Sequence, residues 1–329
     1  MTKIVIDVFG ADDPAALLRG VAEATHRYPD VTLLIPGDPD TVLPALREAG
    51  ADPDRYEVLP ATEIITNEDS PAEAVMKKRD SSLVVGLAAL KGDPDAVGMI
   101  AAGNTGAVLV GAALRLGRLP GVTFPTLASV FCTLDGGSVC LLDCGANVDT
   151  KPEVLPVFAR LGAALMSSLG CSEPRVGLLS IGVEEKKGNA YTKEVFPLLR
   201  ESGLHFIGNV EGCDILTGKC DVVVTDGFVG NVLLKALEGA GKFALATVRR
   251  TLREAGCADA IADAAIKEAM HSVDYTAEGG GVLLGVKKPI VKIHGASGEA
   301  TVSSAVAQLL SYTSGDFIAK QSEALTNIN

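Results

Sequence analysis

Long apolar runs are missing from this chain. Although 47% of its 329 residues are hydrophobic, no uncharged apolar stretch reaches the roughly 18 residues that a membrane-spanning helix needs. The opening MTKIVIDVFG meets Asp7 where a secretory leader would continue its apolar core, so the protein is expected in the cytoplasm. Paired cysteine spacing is missing as well. Seven cysteines, an odd number with no zinc-like pattern, read as free thiols of a reducing compartment, and Cys140 and Cys144 read as packing residues on or beside a buried strand. Basic charge is short, with 29 Lys and Arg against 41 Asp and Glu. The net charge of −12 argues against wide contact with nucleic acid, and an acidic partner could dock only on a local basic patch.

Several catalytic signatures are also absent. GCDILTGKC (212–220) comes near a nucleotide P-loop, but five residues separate its glycines where four are needed, and Cys220 stands where Ser or Thr would bind magnesium. No G-x-G-x-x-G follows a strand, and neither G-x-S-x-G nor H-E-x-x-H occurs.

What the chain does have is β/α alternation. Apolar runs at Lys3–Val8, Val31–Ile35 and Tyr56–Leu59 alternate with helical spacing, with Pro14 suited to a first helical turn. That order predicts a mostly parallel or mixed sheet with helices on both faces, a three-layer α/β fold. The length allows one large unit or two smaller ones; a single α/β catalytic domain over 1–329 is expected, with a helical excursion at about 240–275, interrupted near Ala255 and Gly256. Arg249, Arg250 and Arg253 gather on the first half of that excursion. Its apolar face is rich in alanine and lacks aromatic anchors, so membrane affinity should be weak. LDGG (134–137) predicts a hairpin turn, the glycines in 274–285 a loop, and Thr301–Lys320 one closing helix.

Four strand ends carry glycine together with Asn, Asp or Lys: GNTGA (103–107), DCGANVD (143–149), GVEEKKGN (182–189) and DGFVGN (226–231). Helix starts after such turns present unpaired N–H groups at the positive end of the helix dipole and favour an anion. In a parallel sheet these ends share one edge, so the turns are expected to converge on a phosphate. Gly103, Thr105, Gly106, Asn147, Lys187, Asn189, Asp226, Gly227 and Gly230 are the candidate phosphate-binding residues. Asn104, Asn231, Lys235 and His294 are the candidate catalytic ones. Asp143, Asp226 and Asn147 suit the orientation of donors better than attack. Lys77, Lys78 and Arg79 read either as a solvated helix face or as a docking patch.

GNTGA, LLDCGANVD, IGVEEKKGN, DVVVTDGFVGN with Lys235 and Glu238, and IHGAS (293–297) keep an order and spacing that together resemble the PlsX family of phosphate acyltransferases, from the first strand to about residue 305. The resemblance implies transfer of a fatty acyl group from acyl carrier protein to inorganic phosphate, without cofactor or metal. It further implies a homodimer, a hairpin used in dimerisation and membrane contact, and transient handover to a membrane glycerol-3-phosphate acyltransferase. The implied fold is related to isocitrate/isopropylmalate dehydrogenases and phosphotransacetylases, and His294 joins the implied active-site set. Departures from the family pattern are Ala11, Met76, Phe124, Cys213, Ala296 and Gly298. Two alternatives stay open: a short-chain enzyme using acyl-CoA, and a non-catalytic carrier-binding or membrane scaffold.

Overall fold

The computed structural model describes residues 2–273 and 279–326. In chain order the elements are β1 (Thr2–Asp7), α1 (Pro14–Arg27), β2 (Val31–Gly37), α2 (Pro39–Glu48), β3 (Tyr56–Pro60), α3 (Pro71–Lys77), α4 (Ser82–Gly92), β4 (Ala96–Ala101) and α5 (Thr105–Gly111). Then follow β5 (Thr126–Cys132), β6 (Ser138–Leu142), α6 (Leu155–Ser168), β7 (Val176–Leu179), α7 (Ala190–Arg200), β8 (Phe206–Val210), β9 (Val222–Val224), α8 (Gly227–Glu254) and α9 (Asp259–Val273). The chain closes with β10 (Gly281–Leu284), β11 (Ile290–Lys292), α10 (Glu299–Ser314) and α11 (Phe317–Thr326). These elements group into two compact units, residues 1–127 with 279–329, and residues 128–278.

In the first unit the strand order is β3-β2-β1-β4-β11-β10, parallel throughout except for β10. Consecutive residues of one strand face opposite layers. A Cβ on Gly98 would meet Leu309 of α10 at 2.8 Å, while its neighbour Met99 reaches Gly86 of α4. Helices therefore cover both faces, and Ile4, Val5 and Ile6 are buried without alternation. Such continuous apolar runs are what a parallel strand between two helical layers requires.

In the second unit the order is β5-β6-β9-β7-β8, with β5 and β6 antiparallel and the rest parallel. Helix α6 lies on this sheet with Gly162 at the contact, where a Cβ would come 2.8 Å from Leu142 and 2.9 Å from Val222. The expected hairpin turn joins β5 to β6, with Thr133 accepting at its carbonyl from Gly136. Helices α8 and α9 run antiparallel, since Arg249 pairs with Asp263 and Arg253 with Asp259. The turn between them carries Gly256 at φ 78°.

Three local expectations need correction. Helix α8 begins at Gly227, not after the glycine turn or near residue 240, because Asp226 caps it directly. The glycine triplet opens a strand, β10, rather than belonging wholly to a loop; residues 274–278 of that stretch lie outside the described residues. The closing helix is two helices, broken at Gly315 and at Asp316, whose φ of 53° is left-handed. Gly212–Thr217, whose spacing departs from a phosphate loop, winds as a 3₁₀ turn with a capping box.

Candidate active site

In the first unit β1, β4 and β11 are parallel, with Asp7 and Lys292 both opposite Ala101. The loops after these strands therefore share an edge. Gly10 (φ 87°) approaches Gly103 so closely that a Cβ there would sit 3.1 Å from the Gly103 Cα and 2.9 Å from the Ile65 carbonyl oxygen. Asp12 N–H donates to the Gly295 carbonyl (2.9 Å). The segments 8–13, 103–106 and 293–297 thus meet.

The amide of Asn104 works at both ends. Its Oδ1 accepts from Ala107 N–H (3.0 Å), capping α5, and its Nδ2 donates to the Thr66 carbonyl (3.1 Å). Thr105 starts the helix, and Gly106 is held against Pro71. His294 is exposed, and its Nδ1 accepts from Ala296 N–H (3.1 Å), which puts the proton of a neutral ring on Nε2. In the basic run, Lys77 pairs with Glu73, while Lys78 donates to Asp69 (2.7 Å) and to the Ile64 carbonyl (2.9 Å). Its ammonium holds Asp69 below the usual carboxylate range, through its hydrogen bond first. Lys78 thus braces the loop before α3, while Lys77 pairs only within its own helix.

Beneath this edge lies a carboxylate that sequence reasoning missed. Asp7 is 2% exposed, accepts from Phe9 N–H (3.2 Å), and is pushed up to about 7 by burial against the opposing effects of Ser82, Phe9 and the Lys292 charge. Lys292 in turn donates to the Ala102 and Ile293 carbonyls, tying the ends of β4 and β11 together.

In the second unit, Leu142 and Leu178 both lie opposite Val224, so three of the four glycine turns follow strands of one parallel group. The closeness is made by backbone. A Cβ on Gly230 would lie 1.9 Å from the Asp143 carbonyl oxygen, one on Gly227 2.5 Å from that of Asn147, and one on Gly145 3.2 Å from Asn231. Fully buried Asp143 accepts from Ala146 N–H (3.0 Å), Asn147 N–H (2.7 Å) and Asn147 Nδ2 (2.8 Å), and so orients the 143–147 turn. Asn147 passes this on, its carbonyl accepting Gly227 N–H at 2.9 Å.

Each helix start is closed by its own cap. Asp226 Oδ1 takes Val229 N–H (2.9 Å) and Asn189 Oδ1 takes Thr192 N–H (2.9 Å), as Asn104 does for Ala107. The Asp226 carboxylate places negative charge where the sequence led us to expect a phosphate. An anion here must therefore lean on side chains. Lys187, Asn231 and Lys235 are exposed. The Lys187 stem lies over Gly182, and Lys235 Nζ bonds both oxygens of Glu238 (2.9 and 3.0 Å).

At the 182–189 turn stand two polar atoms that the sequence did not single out, the Ser180 hydroxyl near Gly188 and the Oδ1 of Asn209, whose Nδ2 bonds the Glu184 carbonyl; both are buried and without a hydrogen-bond partner. A serine ending an apolar strand was the available signal for the first. A Cβ on Gly188 (φ 107°) would close on Thr192 Oγ1 at 2.0 Å and on Ser180 Oγ at 3.0 Å, so glycine keeps this pocket open. Burial pushes the Cys144 thiol up to about 12 and the Cys140 thiol well above its ordinary range, so both stay protonated and act as packing residues.

Comparison with solved structures defines the fold. A phosphotransacetylase from Streptococcus pyogenes matches with a TM-score of 0.64 at 15% identity, over 97% of this chain and 94% of that one. A branched-chain phosphotransacylase from Enterococcus faecalis V583 matches with 0.59 at 13% identity, over 98% and 99%. The chain has the phosphotransacetylase fold. Its sequence is more specific: the family described as "Fatty acid synthesis protein" matches residues 2–320. A phosphate acyltransferase from Halothermothrix orenii is 42% identical over 311 residues, 92% of each chain, and one from an Exiguobacterium species is 38% identical over 330 residues, 97% of each. The chain belongs to this family, the PlsX-type phosphate acyltransferases.

Proposed function

We infer that the protein moves a fatty acyl group from acyl carrier protein to inorganic phosphate, giving acyl phosphate for phospholipid synthesis. Family membership over nearly the whole chain supports acyl transfer to phosphate. The observation that carries the assignment of roles is the second unit's edge, where the 143–149 and 226–231 turns close on one another, the 182–189 turn follows a strand of the same parallel group, and Lys187, Asn231 and Lys235 stay exposed.

A phosphate oxygen attacks the thioester carbonyl carbon, an oxyanion forms, and the carbon–sulfur bond breaks to release the carrier thiol. Such a reaction needs the dianion held in place and donors aimed at the developing oxyanion. Lys187 and Lys235 supply charge to the phosphate, with Ser180 and Asn189 at the same 182–189 turn as Lys187; Lys235 must exchange Glu238 for the anion. Asn231 is the candidate donor to the oxyanion on this edge; Asn104 and His294, with its Nε2–H, lie at the first unit's own edge. Gly103, Thr105 and Gly106 set the approach of the 103–107 turn; Asn147, Asp226, Gly227 and Gly230 keep the second edge in shape. No covalent nucleophile is required.

Among the described residues no helix is long and apolar enough to cross a membrane. The reading places a homodimer in the cytoplasm, meeting the membrane transiently to pass acyl phosphate to a glycerol-3-phosphate acyltransferase. The test is thiol release from palmitoyl carrier protein with and without phosphate. Release that needs phosphate, and exceeds that from acetyl-CoA, is the expected result; release independent of phosphate, or none, would overturn the assignment.

A further inference from the structure

Two strands of the second unit end side by side in polar residues. Leu178 of β7 lies opposite Asn209 of β8, and Ser180 extends that pairing past the end of β7, its N–H donating to the Val210 carbonyl at 2.8 Å. Residues opposite one another, and residues two apart along a strand, face the same layer, so Ser180 and Asn209 present their side chains to one side of the sheet. A single turn covers both. The Glu184 carbonyl accepts from Asn209 Nδ2 at 2.8 Å, and the missing Cβ of Gly188 leaves room beside Ser180 Oγ. Each side chain ends in a buried atom without a hydrogen-bond partner, Ser180 Oγ and Asn209 Oδ1, and Asn209 is 4% exposed. Its bond to Glu184 fixes the direction of the amide, because a reversed amide would set oxygen against oxygen. Two unused capacities therefore lie under the turn: an acceptor that only a donor satisfies, and a hydroxyl that can donate.

We propose that Asn209 and Ser180 form a selectivity subsite that reads the protonated oxygen of monohydrogen phosphate, a statement that rests on the phosphate-dependent reading above. Monohydrogen phosphate offers one O–H and otherwise acceptor oxygens. Its O–H donates to Asn209 Oδ1, a second oxygen accepts from Ser180, and Lys187, whose stem lies over Gly182 of the same turn, supplies charge. The other charges of the turn are Lys186, Glu184 and Glu185, the last paired with Arg200 at 3.0 Å. A neutral donor such as an amide N–H would satisfy Asn209 but has no use for the cation. Sulfate has the shape and charge but no proton at neutral pH, so it would face Oδ1 with oxygen and leave a buried acceptor unpaired. Sites built to bond a substrate hydroxyl reject the analogue without it for this reason. With its proton turned to Asn209, phosphate keeps unprotonated oxygens for attack on the thioester carbonyl carbon. Gly182 and Gly188, the latter at φ 107°, bracket the covering turn and let it lift to admit the ion.

The test titrates the full-length chain with phosphate, arsenate and sulfate at neutral pH and matched ionic strength, reading affinity from the rise in melting temperature. Arsenate, which keeps the proton, should bind within about tenfold of phosphate, and sulfate about a hundredfold more weakly. Asn209→Ala should narrow the phosphate-to-sulfate ratio to below about tenfold. Ser180→Ala should weaken both ions alike and preserve the ratio, since its hydroxyl donates to either; circular dichroism is the folding control for both variants. Equal binding of phosphate and sulfate by the unaltered protein, or binding of neither, overturns the proposal with no variant needed. A ratio that Asn209→Ala leaves unchanged overturns it too, and would give the two atoms to a shared buried water. Selective phosphate binding without phosphate-dependent thiol release from the carrier would instead remove the functional reading and leave the subsite standing.

Discussion

At the strand ends of the first unit polar side chains turn inward, whereas at those of the second the backbone is compressed and the cations stay in solvent. Asp7 and Lys292 sit under the first edge, Asn104 spends both ends of its amide on neighbours, and Lys78 braces a loop. On the second edge glycines 227 and 230 lie against carbonyl oxygens, and Lys187, Asn231 and Lys235 remain exposed. The first edge is held by side-chain hydrogen bonds that lose much when a partner is removed. The second is held by close backbone contact that fails when a methyl group is added. An incoming anion finds uncommitted polar capacity mainly on the second.

The sharpest way to break this contrast is pH. Asp7 titrates near 7 in the folded protein, against about 3.9 in an unfolded chain. Between these values the unfolded state has lost the proton that the folded state keeps, so stability is fully present below about pH 4 and falls as pH rises towards 7. The loss approaches about 4 kcal/mol. Urea unfolding of the parent protein and of Asp7→Asn from pH 4.5 to 7.5 should diverge progressively; parallel curves would show that Asp7 is ionised and well paired with Lys292 throughout.

Glycine substitution probes the other side. Gly230→Ala drives a methyl into the Asp143 carbonyl, a rigid backbone atom 1.9 Å away, and should cost about 3 kcal/mol or more. Gly103→Ala in the first unit meets its nearest atom, the Phe9 carbonyl oxygen, only at 3.1 Å, and should cost less than about 1.5 kcal/mol. Equal losses in the two chemical denaturation curves would erase the distinction. Lys235→Ala comes next: turnover should fall about 100-fold with stability unchanged, since the side chain is exposed and bonds only Glu238 in its own helix. Retained turnover would remove Lys235 from the catalytic set.

Much of this was legible in the residues. Strand–turn–helix order, the 134–137 hairpin and the Asn189 cap depend on neighbours in sequence, and spacing alone exposes them. The start of α8 was not legible, because Gly227 and Gly230 look like a turn; glycine stands there to let Asn147 and Asp143 backbone approach, a tertiary cause. β10 hid behind its glycine triplet for a similar reason, a Cβ on Gly280 being left only 2.5 Å from the Lys292 carbonyl oxygen. Asp7 was invisible as a buried acid since its environment comes from Ser82 and Lys292, far along the chain. The self-capped helix starts show the converse limit: the turn residues were recognised, but whether Asp226 faces an anion or its own helix is decided only in three dimensions.

The smallest effect sharpens the comparison furthest, because two asparagines do the same local work in different surroundings. Asn189 caps α7 through Thr192 N–H and is exposed, so Asn189→Ala should cost about 1 kcal/mol, the ordinary worth of a cap, water taking up the freed N–H. Asn104 caps α5 through Ala107 N–H but also bonds the Thr66 carbonyl, linking the 103–107 turn to the 62–69 loop. Asn104→Ala removes both bonds and should cost roughly 1 kcal/mol more than the exposed cap. Asn104→Asp keeps the Oδ1 acceptor while losing the Nδ2 donor, and should recover the cap alone. If all three variants unfold at the same urea concentration, the first edge is no more tightly knitted by its side chains than the second. A graded series, with Asn104→Ala lowest, would locate its rigidity in that second bond.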